Sequence, residues 1–189
     1  MKVCFILPPL IFDTKVRRIL EQDFPKIQYT LLHYKENFED VPALVHLAQE
    51  QHDALLFGDI MSYEYACKMV AQNRYWAYIP YAGSTMLCAI VNAIKAGWDV
   101  KRLSFDIYTE EILREVYEEI GYYDASMKFM IFKGDRLSPH YAQDVVEYHK
   151  HNVRSQKADG CITSITAAYR ALKKARIPVL LAPPTFNVI

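Results

Sequence analysis

Asp53-Ala54-Leu55-Leu56-Phe57-Gly58-Asp59 and Asp159-Gly160-Cys161-Ile162-Thr163-Ser164 are the stretches that decide the fold. Each opens on an aspartate, crosses a short apolar run and ends in small or polar residues. Such a run, bounded by turn residues, reads as a strand buried on both faces of a parallel sheet. Met1-Lys2-Val3-Cys4-Phe5-Ile6 and a helix-like stretch precede the first; Met127-Lys128-Phe129-Met130-Ile131-Phe132 and another helix-like stretch precede the second. A helix and an Ile-Pro strand follow each, at Ile79-Pro80-Tyr81 and Ile177-Pro178-Val179. The pattern runs through twice. It predicts an α/β fold of two Rossmann-like lobes with parallel sheets and an interlobe cleft suited to a small molecule.

Outward from these stretches, apolar runs alternate with segments of helical spacing. Strands are expected at 3–7, 27–32, 54–57, 76–81, 103–108, 128–132, 160–163 and 179–182. Helices are expected near 13–23, 41–51, 63–72, 84–96, from Thr109 to Gly121, 139–155 and 166–176. Alternation of this kind belongs to parallel sheets with helical crossovers. Ser84 or Thr85 is suited to cap its helix, with Gly97 past the end. Glu110 and Glu111 favour the positive end of a helix dipole, and Pro139 suits a first helical turn. A first lobe is placed at 1–97, a second at 98–178, and 179–189 forms a closing strand that could return to the first lobe. With no low-complexity linker, the lobes are expected to join through the sheets, around 97–101 and near the last strand.

The chain has 189 residues, 52% of them hydrophobic, with 22 basic and 22 acidic residues and no formal net charge. That is enough apolar content for a core, and it gives no global basic field for nucleic acid or an anionic membrane. The four cysteines lack CxxC spacing and read as small buried hydrophobes of a reducing compartment. Met1-Lys2 leads straight into a strand, not a signal-peptide core, and no apolar run is long enough to span a bilayer. The expectation is a cytoplasmic chain. The apolar ending Asn187-Val188-Ile189 reads as a domain cut from a longer protein.

In open parallel sheets, ligands sit beyond the carboxyl ends of strands, where strand order reverses. Four such ends are polar here. Gly58 and Asp59 allow a sharp turn and an acceptor, and a turn with a helix-capping Asp is the plainer explanation of the same residues. Tyr81, Gly83, Ser84 and Thr85 combine helix-start N–H groups with hydroxyls, an arrangement that serves an anion or a simple N-cap. Thr163 and Ser164 hold the matching place in the second half, and Asp106 and Tyr108 lie on the strand that opens it. These residues are the ligand-binding candidates. Neither GxGxxG nor a P-loop is present, and no cofactor or metal is expected. His149 and His151, two apart on a helix, point away from each other and read as a solvated face. Cys161 follows a glycine where a nucleophile could sit, but the first half offers no matching cysteine. Several of the 14 tyrosines cluster between Tyr63 and Tyr81, for packing or for stacking on a ligand.

On these residues the sequence resembles the amino-terminal sensor domains of propionate-catabolism-type bacterial transcriptional activators. The matching features are the Asp53–Asp59 strand and turn, Ile79-Pro80 with the helix at 84–96, and the helix at 145–155 running into Lys157-Ala158-Asp159-Gly160. The closing Ile177-Pro178 strand also matches. Where that family carries arginine-glycine at the first turn, this chain has Phe57-Gly58-Asp59. The resemblance implies two Rossmann-like lobes binding a small metabolite.

The reading is therefore a bacterial, cytoplasmic small-molecule sensor, the ligand-sensing part of a transcriptional regulator. Its ligand could be an anionic metabolite, a homodimer is allowed, and nucleic acid would be met only through a domain absent from this chain. The alternative is a two-lobed racemase or decarboxylase-type enzyme using Cys161. A third reading is an interaction module whose cleft is vestigial.

Overall fold

The computed structural model of the protein describes residues 1–8, 13–35, 38–80, 83–106, 109–138 and 140–182. They fall into two compact units, one within Met1–Pro80 and the other within Tyr81–Thr185. The first contains β1 (Lys2–Leu7), α1 (Asp13–Asp23), β2 (Gln28–His33), α2 (Val41–Gln51), β3 (Ala54–Phe57), α3 (Ile60–Met69) and β4 (Tyr75–Tyr78). The second contains α4 (Gly83–Lys95), a 3-10 turn at Val100–Arg102, β5 (Leu103–Phe105), α5 (Glu110–Glu119), β6 (Met130–Ile131), α6 (Tyr141–Arg154), β7 (Gly160–Thr163), α7 (Thr166–Lys174) and β8 (Val179–Leu181). The sheets are wholly parallel, in the orders β2-β1-β3-β4 and β6-β5-β7-β8. The protein is thus a two-lobed α/β fold. No helix among the described residues is long and apolar enough to cross a membrane.

In the first unit, Val3, Phe5 and Leu7 pack on Val16 and Leu20 of α1. The alternate residues of the sheet, Cys4, Ile6, Leu55 and Phe57, pack on Val41, Val45 and Ala48 of α2 and Ala66 of α3. Burying both faces explains the near-continuous apolar runs. In the second unit, Leu103, Phe105 and Ile162 meet Met86, Ala89, Ile90 and Ala93 of α4 and Leu113, Val116 and Tyr117 of α5. Gly97 and Gly121 close α4 and α5 at φ 77° and 72°. There the N–H groups of Trp98 and Tyr122 reach back to the carbonyls of Ala93 and Tyr117.

Four readings from the sequence change here. Helix α4, assigned above to a first lobe ending at 97, gives its apolar face to the second core, and the division falls at Pro80/Tyr81. Residues 179–181 of the closing segment pair with β7 in the second sheet; 183–189 lie outside the described residues. Met127–Phe132 is not the counterpart of Met1–Ile6, because β6 holds the edge place of β2 and β5 holds the central place of β1. The Ile-Pro pairs also differ, since Ile79-Pro80 follows β4 whereas Ile177-Pro178 precedes β8.

The correct superposition of the units follows from their hydrogen bonds. Asp53 N–H donates to the Lys2 carbonyl and Asp159 N–H to the Arg102 carbonyl, each at 2.8 Å. Val3 faces Ala54 as Leu103 faces Gly160. In this register Cys4, Ile6, Leu55, Phe57, Gly58 and Asp59 correspond to Ser104, Asp106, Cys161, Thr163, Ser164 and Ile165.

Candidate functional site

Strand order reverses between β1 and β3 in the first unit and between β5 and β7 in the second. The carboxyl ends of these central strands are the places where an open parallel sheet receives a ligand. Gly58-Asp59 and Asp106 with Thr163-Ser164 stand at those ends.

Asp59 is 4% exposed and caps α3: its Oδ1 accepts the Ser62 N–H at 2.8 Å. Its Oδ2 accepts the Tyr34 hydroxyl at 2.6 Å and the Ser62 hydroxyl at 3.1 Å. Burial raises the Asp59 pKa above its ordinary value, and the bonds from Tyr34 and Ser62 partly offset that rise. The cap also explains why α3 begins at Ile60, three residues before the sequence expectation.

In the second unit the polar side chains reach further into the core. Ser104, Asp106, Cys161 and Thr163 lie on the α6 side of the sheet, where the first unit has Cys4, Ile6, Leu55 and Phe57. The Thr163 hydroxyl donates to Asp106 Oδ2, and Thr163 Oγ1 accepts the Ile165 N–H at 3.1 Å. Asn152 Nδ2 donates to Ser104 Oγ at 3.0 Å, and Ser104 Oγ lies 2.9 Å from His149 Nδ1. His149 Nε2 points toward Asp106 Oδ2 at 3.6 Å, beyond hydrogen-bond length. Ser104, His149 and Thr163 are fully buried, and Asp106 is 2% exposed. Among the described residues nothing hydrogen-bonds Asp106 Oδ1, His149 Nε2 or Ser164 Oγ, although all three are sealed from solvent.

Beside this array, the Tyr141 hydroxyl donates to the Asp106 carbonyl at 3.1 Å. Tyr141 also lines a cavity of about 330 Å³ with Thr109, Glu111, Phe132, Lys133 and Arg136, over the carboxyl end of β6. A larger groove of about 820 Å³ runs along β2 and α2, past Gln28, Thr30, Leu44 and Leu47. It lies on the outer edge of the first sheet, away from both strand-order reversals.

The structure thus brings Asp106, Thr163 and Ser164 together, and Gly58 with Asp59. Gly83, Ser84 and Thr85 form the first turn of α4, so neither Ser84 nor Thr85 is the residue before the helix, and Thr85 is buried against the core. Tyr81 and Tyr108 lie outside the described residues. His149 is corrected: it is buried, while His151 is exposed. Tyr141, Val145, His149 and Asn152 recur every three or four residues and form the inward face of α6. That spacing was the available signal for His149 and Asn152; Ser104, Tyr34 and Ser62 carried none. Cys161 sits near the amino end of β7, not at the carboxyl edge. Its thiol donates to the Pro178 carbonyl at 3.3 Å, and burial, then the Asp106 carboxylate, push it far above the usual thiol range. A thiol so held does not supply a nucleophilic thiolate. Among the described residues, no three metal-ligating side chains converge.

No protein-family model matches the sequence, and no curated protein is significantly similar to it. Among solved structures, a transcriptional regulator of the NtrC family from Clostridium acetobutylicum superimposes with a TM-score of 0.67 at 12% identity, covering 100% of this chain and 90% of that one. The transcription regulator CcpA of Lactococcus lactis follows at 0.43 and 12%, covering 95% of this chain and 74% of its own. An ABC-transporter periplasmic solute-binding protein of Actinobacillus succinogenes, with bound D-allose, gives 0.39 and 12%, with coverages of 95% and 76%. The first of these shares the whole fold; the other two are too distant to carry more.

Proposed function

We propose that this chain is a small-molecule sensor domain, the ligand-sensing part of a transcriptional regulator of the kind that activates propionate catabolism. The observation that carries the reading is the convergence of buried polar groups, Asp106, Thr163 and Ser164, at the strand-order reversal of a parallel sheet. Shared fold with an NtrC-family regulator along the whole chain supports the regulatory role. Gly58 and Asp59, at the strand-order reversal of the first unit, and Gly83, Ser84 and Thr85, in the first turn of α4 in the second, are proposed as further ligand contacts, each within its own unit. DNA contact in such a regulator falls to a separate domain, in keeping with the zero formal net charge here. The enzyme reading through Cys161 is disfavoured by the buried, strongly raised thiol.

Thermal-shift screening against sugars, amines, nucleotides and carboxylic acids tests this. A ligand at one hundred times its Kd stabilises by about 2.7 kcal/mol. For a chain of this size that is a rise of roughly 5–10 °C. Proton NMR of the hit should show no chemical change over hours. Turnover would favour the enzyme, and a melting temperature unmoved by every class would sink the sensor.

A further inference from the structure

The buried acid of the second unit has one oxygen engaged and one idle. Asp106 Oδ2 takes the Thr163 proton, and Thr163 Oγ1 in turn accepts the Ile165 N–H. Asp106 Oδ1 is sealed from water without a donor among the described residues, and so is Ser164 Oγ, one residue beyond Thr163. Native cores seldom leave such atoms unpartnered without a functional reason. The fold itself does not require them. At the same register the first unit has Ile6 and Phe57, both in its apolar core. Both idle atoms stand where the strand order reverses, the position at which this architecture receives ligands.

We infer that Asp106 Oδ1 is the acceptor for a hydrogen-bond donor on the ligand, a hydroxyl or an ammonium group, with Ser164 Oγ beside it. The site therefore selects donor-bearing small molecules over carboxylates. This rests on the ligand-binding reading above and names the chemistry that ligand carries. A ligand carboxylate brought to Oδ1 would set two like charges together in a poorly screened interior, whereas a hydroxyl or ammonium completes the carboxylate's coordination. Thr163 fixes the carboxylate through Oδ2, and Tyr141 holds the Asp106 backbone carbonyl. The acceptor is thus preorganised.

Three probes on one four-carbon skeleton separate the chemistries: erythritol, 1,4-diaminobutane and succinate. Each is titrated into the full chain while backbone amides are followed by proton–nitrogen NMR. Erythritol or 1,4-diaminobutane should shift the amides of Asp106, Thr163 and Ser164, and succinate should not. Asp106→Asn keeps the shape. Because Thr163 still needs the remaining carbonyl oxygen, an NH2 donor replaces the idle acceptor. Affinity for the responding probe should fall about ten- to hundredfold, while melting without probe holds or rises. Ser164→Ala should weaken the same probe without lowering that melting temperature. Succinate shifting those amides equally, no probe shifting them, or unchanged affinity in Asp106→Asn would each overturn the inference. If another metabolite stabilises the chain while these amides stay still, the sensor reading survives and the Asp106 assignment falls.

Discussion

Replacing Thr163 by valine is the sharpest test of the buried array as a coupled unit. The change preserves shape, removes the hydroxyl that donates to Asp106 and takes the acceptor from the Ile165 N–H. A hydrogen bond to a charged group contributes about 1.5–3 kcal/mol, and a stranded buried N–H costs about 1 kcal/mol or more. The methyl group that replaces the hydroxyl returns less than about 1 kcal/mol. The net expectation for Thr163→Val is a loss of about 2–3 kcal/mol. Asp106→Leu alone strands the Thr163 hydroxyl and leaves His149 Nε2 without the carboxylate it faces, a loss of about 1–3 kcal/mol. The double variant restores the apolar register that Ile6 and Phe57 occupy in the first unit. It should therefore lose at least about 1.5 kcal/mol less than the sum of the single changes. Equilibrium urea unfolding measures this in a Trp76→Phe background. The chain has two tryptophans, and Trp98, packed against the second core, then reports that unit alone. Additivity within about 0.5 kcal/mol, or a neutral Thr163→Val, would refute the coupling.

Gly160 is required by Trp98, because a Cβ there would lie 2.4 Å from a ring carbon. Gly160→Ala should lose about 1–3 kcal/mol by overpacking, with recovery in Gly160→Ala/Trp98→Leu; an unchanged urea midpoint for the single variant contradicts this. Of the four thiols, exposed Cys67 and Cys88 should react with Ellman's reagent in the native chain. Cys4, whose thiol burial pushes up to about 12, and Cys161 should react only on unfolding, so rapid native labelling of a third thiol rejects the assignment. Asp59 sets a pH dependence of definite sign. Its folded pKa lies above the ordinary 3.8, so between those values the folded chain holds more proton than the unfolded one, and stability falls as pH rises through that window. Asp59→Asn removes this, and its stability relative to the parent should improve on going from pH 3 to 7, by at most about 1.4 kcal/mol per pH unit. A variant whose stability relative to the parent falls as pH rises would show that the Tyr34 and Ser62 bonds outweigh burial.

Much of the scaffold was legible because parallel strands buried on both faces leave unbroken apolar runs. Asp13–Asp23, Val41–Gln51, Ala54–Phe57 and Gly160–Thr163 have the bounds read from sequence. The edges were not. Met130–Ile131 pairs over two residues where a strand over 128–132 is expected, since an edge strand has a neighbour on one side only. Leu103-Ser104-Phe105-Asp106 alternates apolar and polar, a pattern that ordinarily marks a strand with one face in water. In the structure its polar side faces α6 and is as dry as its apolar side. Alternation records that two faces differ, not whether the polar one meets solvent or a buried partner. His149 was hidden similarly, since a polar residue on a helix is assigned to water unless its partner is known.

The registered units show where the two halves agree and where they part. At the amino ends Asp53 and Asp159 do comparable work. Asp53 accepts the Lys2 N–H at 2.7 Å; Asp159 accepts the Asp99 N–H at 2.9 Å and lies 3.2 Å from the Arg102 guanidinium. At the carboxyl ends every corresponding pair differs in polarity or size: Ile6 against Asp106, Phe57 against Thr163, Gly58 against Ser164, Asp59 against Ile165. Each unit buries one acid there, on different elements and with different completeness. Asp59 has both oxygens engaged by Tyr34 and Ser62 and holds the start of α3. Asp106 has an oxygen to spare among the described residues. A buried acid whose bonds are complete stabilises its own helix, whereas one left incomplete gains most from what arrives later. The second unit is therefore the half in which ligand chemistry should be read first.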